Sequence, residues 1–282
     1  MITPIQSNDE WLADVERAKA DESIVDVWWL GQSGFLVQYQ GRHLLFDPYL
    51  SDSLTEKYVA TDKPHVRMTE LVIDPARLDF VDVVTSSHNH TDHLDAETLG
   101  PLMAANADAA VIVPTANREF AANRLQVPLE RLTPIDPTED ALQLGPFRIH
   151  AVPAAHETVE LDEGGKCTFI GLVVECGDEY TIYHSGDTML FDGMVETLKR
   201  HQIDLALLPI NGRRPERRVA GNLWGDEAAN LANQIGASMV IPCHYDMFEF
   251  NTETPDRFES ECKKLNQPYR IMKCGERLSV AR

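Results

Sequence analysis

Residues 86–95 read Ser-Ser-His-Asn-His-Thr-Asp-His-Leu-Asp, and three histidines with an aspartate fall there in a His-x-His-x-Asp-His pattern. Imidazole and carboxylate are the ligand types that zinc and neighbouring transition ions favour, so His88, His90, Asp92 and His93 read as a metal-binding motif. Single half-buried histidines are common in any protein; four such groups in six residues are not. The run Phe80-Val81-Asp82-Val83-Val84 precedes the motif. A β-branched run bounded by polar residues predicts a buried strand, with the motif on the loop that leaves its end. On such a loop His88 and His90 point one way, while Asp92 and His93 can turn toward a second nearby point.

Other apolar runs also finish on a ligand type: His156 after Pro153-Ala154-Ala155, Asp187 after Tyr183-His184-Ser185-Gly186, and His244 after Ile241-Pro242-Cys243. The inventory divides into two sets. His88, His90 and His156 could hold one ion and Asp92, His93 and His244 a second, with the Asp187 carboxylate between them. Two cations a few ångströms apart would acidify a bridging water, supply hydroxide at neutral pH and stabilise a developing oxyanion. Each of these residues also has a plainer reading. His156 and His244 could be core histidines, and Asp187 could cap the following helix. His184 fits a supporting role as well as a catalytic acid. Cys243 could be a soft ligand or a buried thiol, and Asp47 could orient a ligand histidine or start a turn. His43, His65, His150 and His201 have no such context and read as structural or surface residues.

The elements that must position these groups follow from the apolar pattern. A helix is expected over 8–19, then strands over 25–30, 35–39 and 43–46 separated by Gly31, Gly34 and Gly41, the signature of hairpins opening an antiparallel sheet. A polar stretch over 51–69 shows little periodicity and reads as a long loop, a lid or pocket wall. Asp95 can cap a helix to residue 105. Strands over 110–114, 149–152, 169–176, 180–183, 204–209 and 238–242 then alternate with helices over 116–124, 190–200, 226–235 and 255–265. Hairpins first and alternation later, in both halves, predict an α/β fold with two mixed sheets face to face and helices outside. With no linker or repeat, residues 1–282 read as one domain, residues 1–22 forming a helical lead-in.

With 45 Asp and Glu against 25 Lys and Arg, the formal charge is −20, which argues against nucleic acid and anionic membranes as partners. No apolar run is long enough to span a bilayer. The N-terminus lacks the order of a signal peptide, and the five cysteines form no Cys-x-x-Cys pair. A cytoplasmic setting is expected. Against that acidic background, residues 213–218 place four arginines in six positions. Arg213 and Arg217 are therefore expected to hold an anionic substrate, since a guanidinium fork suits phosphate or carboxylate.

The ordered set His88-x-His90-x-Asp92-His93, His156, Asp187 and His244 resembles the motifs of the metallo-β-lactamase-fold hydrolases. Within that superfamily, Trp28-Trp29-Leu30-Gly31, Val72-Ile73-Asp74-Pro75, residues 183–187, His201-Gln202-Ile203-Asp204 and Val240-Ile241-Pro242 are similar to the L-ascorbate-6-phosphate lactonase group. The resemblance implies an αβ/βα four-layer sandwich with a dinuclear site at one edge, loaded with zinc or manganese, iron being a third candidate. It implies a lactonase in which a metal-bound hydroxide attacks a small anionic substrate. Asp92 would then hold a metal and accept the nucleophile's proton, and Asp187 would bridge. A phosphodiesterase acting on a small or lipid-derived phosphodiester is the second reading, and a metal-binding scaffold protein the third. Homo-oligomer formation is left open.

Overall fold

In the computed structural model, which describes residues 1–280, α1 (Asn8–Ala18) precedes an antiparallel meander of β1 (Val25–Gly31), β2 (Gly34–Tyr39) and β3 (Arg42–Phe46). The β2–β3 link is two residues long. Gln40 and Gly41 both take positive φ (49° and 70°), the mirror-image turn whose twist matches that of paired strands. The stretch over 51–69 is not the irregular loop its sequence suggests, because it contains α2 (Ser53–Tyr58). This short helix has little pattern of its own and is anchored from outside. Ser51 and Ser53 hydroxyls donate to the Asp95 carboxylate at 2.6 and 2.9 Å, tying the segment to the end of the metal motif.

β4 (Val83–Thr85) delivers the chain to the motif, and α3 (Ala96–Ala105) begins directly after it. As expected, Asp95 caps α3, accepting from the Glu97 and Thr98 amides at 3.4 and 3.1 Å. β5 (Ala110–Pro114), α4 (Arg118–Leu125) and β6 (Leu132–Ile135) extend the sheet by parallel pairing. A second meander follows, of β7 (Leu142–Leu144), β8 (Phe147–Pro153), β9 (Ile170–Cys176) and β10 (Tyr180–His184). Then α5 (Met194–Leu198), β11 (Leu205–Pro209), α6 (Gly225–Ile235) and β12 (Met239–Cys243) add parallel strands, before α7 (Asp256–Leu265) and β13 (Arg277–Val280). The helix expected over 190–200 is only one turn of α-helix followed by a 3-10 turn, Lys199–His201. β6 and β7 have only four and three residues, too short a run for the apolar pattern to mark them as strands.

The two mixed sheets run β13-β1-β2-β3-β4-β5-β6 and β12-β11-β10-β9-β8-β7. The α/β architecture of two sheets face to face with helices outside is the one the pattern predicts. β1 and β11 are buried along their whole length, as strands covered on both faces must be. At the edge that carries the motif, the His184 ring stacks on Phe46 at 4.7 Å and 5°, packing β10 of one sheet on β3 of the other. Trp11 meets Trp28 edge-on at 6.3 Å, and the Trp28 indole donates to Asp14 at 3.0 Å, holding α1 on the first sheet.

His43 on β3 is only 2% exposed and bonds to Gln38 Oε1 at 2.9 Å through Nε2. Burial, with Lys19 nearby, pushes its pKa from 6.5 to about 4. A histidine depressed in this way stabilises the fold above pH 6.5 and loses that contribution as pH falls toward 4. Replacing His43 by Gln should therefore make unfolding free energy less steep between pH 7 and 4. Denaturant melts should show a difference of about 3 kcal/mol between the two proteins' pH responses; equal responses would show that His43 takes up its proton over the same pH range folded and unfolded.

Candidate metal centre

The ligand types converge at one edge because they leave the C-terminal ends of their strands. His88 to His93 follow β4, His156 follows β8, Asp187 follows β10 and His244 follows β12. One ligating atom each from His88, His90 and His156 lies within 4.8 Å of the others, and the same holds for Asp92, His93, Asp187 and His244. The sequence suggested the first group as it stands and the second without Asp187, which it placed between the two. Asp187 reaches both, with Oδ2 3.4 Å from His156 Nε2 and 3.4 Å from His244 Nε2, and Oδ1 3.2 Å from His93 Nε2. His88 Nε2, His93 Nε2 and Asp187 Oδ1 are buried and make no hydrogen bond of good geometry. Buried polar atoms left in that condition are costly unless something else binds them. Orphaned nitrogens and a carboxylate oxygen within these two clusters fit divalent cations.

A layer behind the ligands fixes their rings. His93 Nδ1 lies 2.7 Å from Asp47 Oδ2, and His156 Nδ1 donates to the Gly221 carbonyl at 2.7 Å. His88 Nδ1 is 3.0 Å from Ser87 Oγ. In each case the bond to Nδ1 turns Nε2 toward the cluster. Asp47 is fully buried and accepts from Ser87 N (3.1 Å), the Ser87 hydroxyl and Thr85 Oγ1 (2.7 Å), so it braces the motif rather than merely starting a turn. Gln32 Nε2 donates to Asp92 Oδ2 at 2.8 Å and lies 3.0 Å from His244 Nε2. Three non-glycine residues at this edge, Gln32, Asp47 and His244, adopt positive φ (50°, 35° and 63°), strain of the kind that collects where function over-determines geometry. Gly186 is also left-handed, and a Cβ there would come within 2.7 Å of Ser87 and 2.9 Å of the Ile170 carbonyl. Only glycine lets the backbone bring Asp187 this close.

The two sets differ in charge. Burial and the neighbouring histidines depress His88, and burial with His156 lowers His90 to about 4. Burial would lower His244 as well, but Asp187 and Asp92 outweigh it and raise it to about 9; the same carboxylates raise His93. The first set thus offers free imidazoles, while the second holds protons that a bound cation would displace.

His184, expected to be catalytic or supporting, takes the supporting place. Its Nε2 donates to the Ser33 carbonyl at 2.8 Å, Nδ1 accepts from Gly186 N at 3.3 Å, and the ring is buried outside the cavity wall. Cys243 is a buried thiol whose pKa burial pushes up, not a thiolate ligand.

A cavity of about 410 Å³ opens over the cluster, with His90, Asp92, His156, Asp187 and His244 in its wall. Arg213 and Arg217, expected to hold the substrate, do not line it. Arg213 makes a bidentate pair with Glu227 at 2.6 and 2.6 Å, and Arg217 is bound to Glu253 and, at 2.7 Å, to the Thr252 carbonyl. Their forks are already filled by the acidic body of the protein. The cations that do line the cavity are Lys57, Lys63, Arg124 and Arg218. Lys57, Lys63 and Arg124 donate to Thr91 Oγ1, the Arg218 carbonyl and the Asn89 carbonyl, and Arg218 pairs with Asp62. Arg218 ends the arginine-rich run noted in the sequence, whereas Lys57, Lys63 and Arg124 stand singly and carried no signal; Gln32, between Gly31 and Ser33-Gly34, carried a turn signal but no chemical one.

If Asp47 holds the His93 ring in place, Asp47→Asn should weaken metal affinity roughly 10- to 100-fold while the fold survives. Competition with a chromophoric chelator measures this, and unchanged affinity would show the Asp47–His93 bond to be dispensable.

Comparison with known proteins yields three kinds of match. A family model described as a beta-lactamase superfamily domain matches residues 42–245. In sequence, the chain is 31% identical over 259 residues to a metal-dependent hydrolase of Opitutus terrae, covering 89% of this chain and 98% of that one. It is 23% identical over 266 residues to a probable L-ascorbate-6-phosphate lactonase of Escherichia coli, covering 84% of this chain and 74% of the other. In structure, a possible metal-dependent hydrolase from Veillonella parvula shares the fold with a TM-score of 0.73 at 15% identity, over 91% of this chain and 100% of that one.

Proposed function

The chain belongs to the β-lactamase superfamily and is a metal-dependent hydrolase, and from that premise we propose a dinuclear enzyme that opens a small anionic ester, foremost a phosphorylated lactone. His88, His90 and His156 would hold one divalent ion and Asp92, His93 and His244 the other, zinc and manganese being the leading candidates and iron a third. The observation that carries this reading is Asp187, whose carboxylate reaches His156 on one side and His93 and His244 on the other. Bound there, such ions acidify water and polarise the substrate's carbonyl or phosphoryl oxygen.

The remaining chemistry falls to the chain's own groups. Despite burial, His93 and His244 hold the Asp92 carboxyl well below the usual carboxylate range, so it is ionised at neutral pH. Gln32 fixes one of its oxygens at 2.8 Å. Asp92 can therefore accept and orient the proton of an attacking water while remaining a ligand. Lys57, Lys63, Arg124 and Arg218 form a cationic rim in a chain of net charge −20. An acidic body repels anions at long range, so a local cluster of this sign is what an anionic substrate requires. Tyr58, Phe120 and Phe248 add apolar wall. Similarity to the probable lactonase of Escherichia coli supports a lactone as the electrophile. The same rim would also hold a phosphodiester, which is the second reading. Five buried, unpaired cysteines support a reducing cytoplasm as the setting, and among the described residues no helix is long and apolar enough to cross a membrane.

Asp92→Asn should lower turnover by roughly 10²-fold or more with most metal retained, as elemental analysis beside single-turnover kinetics would show. Wild-type turnover in that variant would remove Asp92 from the chemistry. A screen of phosphorylated lactones against generic phosphodiesters separates the two substrate readings. On whichever is hydrolysed, Lys63→Ala and Arg218→Ala should raise KM about 10-fold and spare an uncharged analogue. Added salt should weaken the charged substrate alone. Equal effects on charged and neutral substrates would mean that the rim does not bind the anion.

A further inference from the structure

His150 and His201 carry no recognisable motif, yet the fold brings them together with Glu175. His150 lies on β8 opposite Val173, and Glu175 on β9 lies opposite Arg148, so His150 and Glu175 are diagonal neighbours on one face of the second sheet. Ile149 and Val174, which alternate with them, are fully buried in the core. His150 and Glu175 therefore project from the other face, where α5 and its 3-10 turn lie. His201 ends that turn, and its ring centre is 5.2 Å from that of His150. One ligating atom from each of the three lies within 4.8 Å of the others, and all three residues are half-buried.

We propose that His150, Glu175 and His201 form a second metal site for a single divalent ion of the zinc class, separate from the hydrolase cluster. His150 Nε2 and Glu175 Oε1 are already 3.0 Å apart. Ligands about 2.1 Å from a tetrahedral ion sit about 3.4 Å from one another, so this edge of the site needs only a small opening. Arg148 Nη1 lies 3.7 Å from Glu175 Oε2, pairing with the carboxylate oxygen that does not face His150. Two imidazoles and one carboxylate select zinc, nickel or copper over magnesium and calcium, which want oxygen ligands. Water would fill the fourth position.

A plain histidine–carboxylate hydrogen bond accounts for His150 and Glu175 but gives His201 no part. The metal reading gives it one. The ion would fasten the turn after α5 to β8 and β9, and the segment from His150 to His201 contains His156 and Asp187 of the hydrolase cluster. The second site would thus stabilise a stretch that carries two of the first site's ligands, without touching substrate.

The test compares zinc bound per chain in chelator-stripped, full-length protein reloaded with zinc chloride. His201→Gln and Glu175→Gln should each bind one equivalent fewer than wild type and lose part of the zinc-induced rise in Tm. Their hydrolytic rate should be unchanged, whereas zinc lost from the hydrolase cluster would appear as lost activity. Because the readout is a difference between proteins, it holds whatever number of ions the hydrolase cluster takes. Should one variant fail to fold by circular dichroism, the other decides. Folded variants that bind as much zinc as wild type, with the same Tm response, would overturn the proposal.

Discussion

Two carboxylates and five imidazoles share one small volume at the edge of the sheets, and most of them are shut off from water. Bringing charges into such a place is costly unless opposite charge meets them there. Asp187 is 4% exposed and is held well below the usual carboxylate range only because His244 and His93 oppose the effect of its burial. The protonated imidazoles and the orphaned nitrogens mark the same deficit from two sides. Positive charge is required at this point, and divalent cations supply it better than protons on histidine. The rest of the edge can be understood as the scaffold for that requirement.

Holding the ligands in place takes a second layer that has no part in the chemistry. Asp47 links β3 to the motif after β4 through Ser87 and His93, and His184 packs β10 of one sheet against β3 of the other. Gly186 allows Asp187 to approach, at a position where any side chain would strike Ser87. These residues come from different strands of both sheets, so the geometry of the cluster depends on the sheets' being face to face. The left-handed conformations of Gln32, Asp47 and His244 belong to the same account, since local strain persists only where surrounding packing imposes it.

Charge outside the cluster is organised in a contrasting way. Most of the arginine-rich stretch is satisfied by glutamates and carbonyls and acts as structural glue, with the Arg217 side chain 9% exposed and Arg213 paired to Glu227. Of that run only Arg218 reaches the cavity, where it joins isolated cations from α2, the segment after it and α4. In a chain with 45 acidic residues, a dense basic run finds partners wherever it lies, so density in sequence is a poor guide to a binding function. A few cations placed around a cavity mouth are the more informative arrangement.

The amino-acid order by itself determined the motif at residues 88–93, the glycine-punctuated hairpins and the alternation of strands with helices, because these depend on local spacing and on the period of apolar residues. It also marked His156, Asp187 and His244 as strand-end residues of the right chemical type, and Asp95 as a helix cap. Only tertiary structure decided which of several plausible parts each polar residue plays. Asp47 could have been a turn residue and became the brace of His93; His184 could have faced substrate and was stacked on Phe46; Arg213 and Arg217 could have faced the cavity and were captured by Glu227 and Glu253. His150 and His201, 51 positions apart in the chain, came together with Glu175 through strand pairing and a 3-10 turn that no local pattern foretold. The physical reason is common to all of them. A side chain's role is set by what faces it across the fold, and those partners lie tens to hundreds of residues away.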